Sequence, residues 1–137
     1  MKKWLGSAVL AVFTAITALA GDPLKELASV HDFAFGGIGA AGTLSEGELA
    51  FREVLKRPSA EKDFLELLSK GNAQGRCYAL VGLRHLNRKA YAVLAERFAH
   101  DKTKVSTIGG CIVMVQPMSS VAATIEAGRY QPFLKGK

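Results

Sequence analysis

Seven consecutive positions, Cys77-Tyr78-Ala79-Leu80-Val81-Gly82-Leu83, are apolar or small. A helix built on such a run has no wet face and must be covered by neighbours on every side. That requirement governs the rest of the chain, which has to supply several one-sided segments to wrap the run. Asn72 is a good N-cap, so the spacing predicts a helix over about 73–86. Asn87 opens a second helix after almost no loop, with Tyr91, Leu94, Ala95 and Phe98 as its apolar stripe. So short a connection forces the two helices to lie antiparallel and in contact. Gly82 is expected where this central helix crosses a neighbour.

The covering segments are readable on either side. Asp22-Pro23 suits a helix start, and Leu24, Leu27, Ala28 and His31 then share one face, which makes His31 a core or boundary residue. Four glycines in residues 35–42 make a loop. Ser45-x-x-Glu48 is a capping box for a helix with Ala50, Phe51, Val54 and Leu55 inward. Glu48 with Arg52, and Glu53 with Arg57, are i, i+4 pairs expected on its wet side. Pro58 ends that helix. Ser59 is expected to cap another, with Phe64, Leu65 and Leu68 inward and Gly71 as its stop. Residues 105–115 are rich in β-branched side chains around Gly109-Gly110 and read as one extended segment. A last helix over about 119–127 turns Val121, Ala122 and Ile125 inward, stops at Gly128, and leaves 129–137 as a tail. The predicted fold is mostly α: a compact antiparallel helical-hairpin bundle of five to six helices with one extended segment near 105–115. No linker divides it, so 21–137 is one domain.

Two resemblances follow from these residues. Gly75-Arg76-Cys77-Tyr78-Ala79-Leu80-Val81-Gly82-Leu83 with the helix after it resembles one unit of a HEAT-like α-helical repeat, over roughly residues 59–100. Phe35-Gly36-Gly37-Ile38-Gly39, Gly47-Glu48-x-Ala50-Phe51-Arg52, Tyr78-Ala79-Leu80-x-Gly82-Leu83 and Gly110-Cys111 together are similar to a family of small exported bacterial proteins. Some members of that family are associated with microcin gene clusters. The second resemblance implies an immunity or secretion-accessory role and brings no catalytic or binding residue with it.

Residues 1–20 have the order of an export signal: Lys2-Lys3, an apolar stretch, then Ala18-Leu19-Ala20 as a small-x-small cleavage site. Cleavage after Ala20 is expected, leaving no stable membrane span and a periplasmic or secreted protein. The remaining chain keeps 16 of 18 Lys/Arg and all 12 Asp/Glu, for a net charge of +4. In an oxidising compartment, Cys77 and Cys111 are expected to pair. The closed loop would contribute about 3–4 kcal/mol in the chain-entropy model. Two buried free thiols are the competing reading.

The sequence argues against several chemistries. Gly37-Ile38-Gly39-Ala40-Ala41-Gly42 matches GxGxxG, but no strand delivers it and no βαβ unit follows, so no cofactor is expected. Cys77, His85, His100 and Cys111 match no structural zinc spacing, and no metal is expected. Cys77 and His85 stand about 12 Å apart along a helix, too far for a nucleophile pair. No catalytic residue is assigned, and an enzyme, such as a small extracytoplasmic hydrolase or redox protein, is the least favoured reading. Two surfaces remain. Phe35, Gly36, Gly37, Gly39 and Gly42 form a possible partner-contact loop, since binding residues favour loops on rigid scaffolds. Arg76, Arg84, Arg88, Lys89, Arg97, Lys102 and Lys104 form a possible basic surface, with poor aromatic interleaving for nucleic acid. The expectation is a non-enzymatic protein-interaction module whose partner is a protein or an envelope surface.

Overall fold

The computed structural model describes residues 21–135. The expected export signal, with its expected cleavage after Ala20, lies outside the described residues. The described elements run α1 (Pro23–Ala28), α2 (Glu46–Leu55), α3 (Ala60–Lys70), α4 (Ala73–Leu86), α5 (Arg88–Ala95), β1 (Lys104–Gly109), β2 (Ile112–Pro117) and α6 (Met118–Glu126). Short 3₁₀ turns follow α5 at Glu96–Phe98 and close the chain at Gln131–Leu134. The apolar run of α4 lies at the centre, with Cys77 through Leu83 all buried. Helices α1, α2, α3, α5 and α6 and strand β1 all touch it. Asn72 caps α4 by accepting from the Gly75 N–H at 2.8 Å, and Asn87 caps α5 by accepting from Ala90 at 3.0 Å. Gly82 sits where α3 crosses: a Cβ there would stand 2.5 Å from the Phe64 ring.

Mostly α holds, but the helical-hairpin bundle does not. Residues 105–115 are not one extended segment. They belong to an antiparallel hairpin, β1 with β2, in continuous register from Lys104↔Pro117 to Gly109↔Ile112. Gly110, at φ +58°, takes the first central position of the two-residue turn, which is where a type II′ hairpin needs glycine. On the other edge of β1, Phe33 N–H donates to the Ser106 carbonyl at 2.8 Å, and Ile108 N–H donates to the Phe33 carbonyl at 3.1 Å. The core is therefore closed partly by sheet. Val105 brings β1 against α4, fully buried.

The Cys77–Cys111 disulfide is also overturned: both cysteines are free. Cys77 lies in the core with its Sγ 3.5 Å from Met118 Sδ, at the base of the hairpin. Cys111 is exposed in the turn at its tip. The six residues of β2 lie between that turn and Met118, which puts Cys111 about 23 Å from Met118, whereas a disulfide needs Cα atoms within about 7 Å. Burial pushes the Cys77 thiol pKa up, with Asp101 adding to the shift. Smaller corrections follow the same logic. His31 is exposed because α1 ends at Ala28. Leu67 is buried on α3 and Leu65 is 40% exposed, the reverse of the expected choice.

Candidate functional site

The glycine loop meets the core through its aromatic end. Phe33, Ala34 and Phe35 are buried, and Phe33 and Phe35 pack with Tyr78, Tyr130, Phe51 and Phe133 at centroid distances of 4.9–6.2 Å. Tyr78 Oη donates to the Ala34 carbonyl at 2.9 Å and accepts from the Ala34 N–H at 3.1 Å. Burial pushes the Tyr78 pKa up to about 12. Glu48 completes the anchor. The box residue was expected on a wet face and is fully buried instead. Its Oε2 accepts from Gly36 N–H at 2.8 Å, and its Oε1 accepts from Arg52 Nη2 at 2.7 Å. Ser45 keeps its capping role, accepting from Glu48 N–H at 3.1 Å. The carboxylate thus fastens the loop rather than closing the box, which satisfies a buried charge that would otherwise be costly. Gly36 holds φ +80° beneath Phe133.

Phe35, buried, and Gly36, tied by its N–H to Glu48, thus hold the inner part of the loop to the core. The outer part of the loop is different. Ile38 pairs with Thr43 in a small bridge, and Gly39 N–H donates to the Gly110 carbonyl at 3.0 Å, so the loop leans on the hairpin turn. Gly37 and Gly42 approach closely there: a Cβ on Gly37 would stand 2.6 Å from the Gly42 carbonyl oxygen.

Between α1, the start of α2, this loop and β1 lies a groove of about 680 Å³. Val30, Ile38, Leu49 and Ile108 give it an apolar lining, and Glu26, Asp32 and Glu46 supply carboxylates. Asp32 is held by Ser106 Oγ, which donates to its Oδ1 at 2.5 Å. No Lys or Arg is among the lining residues. Ile38 and Ile108 also line a second hollow of about 340 Å³, bounded by Gly39, Thr43, Cys111 and Val113. The size suits a ligand or a peptide segment. The signal missed in the sequence was long-range: nothing local says that Glu26, Asp32 and Glu46 converge on Ile108.

The basic residues lie elsewhere. Arg76 and Arg84 are half-buried on α4, and Arg84 Nη2 donates to the Glu126 carbonyl at 3.2 Å. Arg88, Lys89, Arg97, Lys102 and Lys104 are exposed, and none of the seven lines the groove. Asp101, near Arg76, has its pKa lowered, chiefly by hydrogen bonds from Thr103. Among the described residues, no group of three or more His, Cys, Asp or Glu is placed to hold a metal ion, and no helix is long and apolar enough to cross a membrane.

Beside the groove, β2 exposes four successive apolar side chains: Ile112 (64%), Val113 (63%), Met114 (49%) and Val115 (64%). Comparison with protein families, with curated proteins and with solved structures returns no match for this chain.

Proposed function

We propose that this chain is a non-enzymatic protein-interaction module, and that its groove receives a partner segment carrying both apolar and basic side chains. The observation that carries this reading is the separation of charge. A chain of net charge +6 places three carboxylates, one histidine and no Lys or Arg around this apolar groove. Complementary potential favours a cationic partner there and disfavours an acidic one. The apolar lining supplies the contact area, and the carboxylates set which segments are accepted. The anchors Tyr78 and Glu48 keep the loop wall in place before binding, which reduces the ordering cost of association.

The test uses a soluble peptide of alternating lysine and leucine, with a glutamate-for-lysine version as control, titrated into the labelled protein by NMR. The expected result is shifts at Ile38, Leu49 and Ile108 with the lysine peptide only. Binding should weaken with added salt and on combining Glu26→Gln with Glu46→Gln. Equal binding of both peptides, or shifts elsewhere, would overturn the reading.

A further inference from the structure

We infer that β2 pairs with β2 of a second copy of this chain, joining two hairpins into one four-stranded antiparallel sheet. The backbone fixes which groups are available. Ser106 and Ile108 turn their carbonyl and N–H toward Phe33. Along a strand these directions alternate, so Val105, Thr107 and Gly109 face β2. Their register partners Gln116, Met114 and Ile112 are therefore the residues bonded inside the hairpin. Pro117, with no N–H to give, falls on a non-bonded position opposite Lys104, as this parity requires. Val113 and Val115 are left with N–H and C=O directed off the outer edge of β2, where no further strand pairs among the described residues.

Along most of its length that edge carries none of the usual protection, which is confined to Pro117 at its end. Monomeric proteins blunt an edge strand with a lysine, a proline, a bulge or an inward charge. Residues 112–116 contain no charge and no proline, and the register is unbroken. Four apolar side chains on both faces of this strand meet water instead.

Charge selects a second copy as the occupant. No Lys, Arg, Asp or Glu occurs from residue 105 to residue 125, in a chain of net charge +6. Two copies repel elsewhere but not here, and a charged partner finds nothing to recognise along β2. The free groups also complement themselves. With a two-fold axis at Met114, Val113 of one copy faces Val115 of the other, and the two pairs exchange four hydrogen bonds. An axis at Val115 would set Val113 against Pro117, which has no N–H. An axis at Val113 would draw the Cys111 turn into the ladder. Directly opposed residues project to the same face, so Ile108, Val113 and Val115 of both copies share one side. The two grooves then open on that side. This inference stands apart from the groove reading, since it concerns the edge and not the pocket.

Sedimentation equilibrium on the 21–137 chain, at concentrations up to about 1 mM, tests it. A reversible monomer–dimer equilibrium is expected, weakened at least about tenfold by Val115→Lys, with an unchanged circular dichroism spectrum. Met114→Cys in a Cys111→Ser background should form a disulfide dimer on mild oxidation, because its mate lies directly across the axis. The chain with its own Cys111 should not, because the two turns would be about 20 Å apart. A strict monomer, a dimer indifferent to Val115→Lys, or a monomer that instead captures an added apolar peptide strand would each overturn the proposal. Titrating the lysine peptide into Val115→Lys separates the two readings: groove binding that persists without dimerisation leaves the groove assignment standing, and a dimer that binds no peptide removes it.

Discussion

Helix α4 and strand β2 look alike on paper and meet opposite fates. Cys77 through Leu83 and Ile112 through Val115 are both uninterrupted by charge. The first is buried throughout, and the second is half to two-thirds exposed. A helix satisfies its own backbone, so side-chain packing alone decides where it goes, and five helices and a strand close around α4. A strand satisfies half of its backbone from one neighbour and presents the other half outward. An apolar run in a helix is thus a demand on the same chain, whereas an apolar run at a sheet edge can be a demand on another one.

The comparison breaks first at the centre if α4 is less tightly covered than it looks. Gly82→Leu should cost about 3 kcal/mol or more, because the added side chain meets the Phe64 ring with α3 already in contact. A urea melt reads this directly, and a loss below about 0.5 kcal/mol would mean that α3 gives way. The next effect is at the anchor. Tyr78→Phe leaves both the N–H and the carbonyl of buried Ala34 without the hydroxyl they share, at a cost of about 1–3 kcal/mol.

The same hydroxyl predicts alkaline behaviour. Tyr78 is raised from 10 to about 12 by burial, and burial raises Tyr91 and Tyr130 as well. The folded state holds these protons more tightly than the unfolded one. Their contribution is therefore complete below about pH 10 and is lost as pH rises toward about 12. Denaturant melts across that window should show falling stability, with a shallower fall in Tyr78→Phe.

Much of the helical half was legible. Asn72 and Asn87 as caps, Gly128 as a stop and the α4 run depend on neighbours within a turn or two, and all are found. The misreadings share a cause. Glu48 was assigned to water because its spacing to Arg52 fits an exposed pair, yet the Gly36 N–H, twelve residues away, draws it inside. Gly110-Cys111 is a hairpin turn because β-branched residues flank it on both sides and pair across it, a relation that no single run of residues displays. The groove was invisible for the same reason, since its walls come from α1, α2, β1 and the loop between α1 and α2.

The smallest expected effect separates the two runs most sharply. Thr is nearly the shape of Val but adds a hydroxyl. At Val81, fully buried in α4, that hydroxyl displaces packed carbon and should cost about 1–3 kcal/mol. At Val113 or Val115 the hydroxyl meets water, and β-branching still suits the strand. Fold stability of the monomer should then change by no more than about 0.5 kcal/mol, read by denaturant melts below the concentration at which copies associate. A large loss at Val115 in dilute protein would mean that β2 is held to its own chain by contacts on both faces. A negligible one leaves its exposed valines free of any duty to the fold, and so available to a second chain.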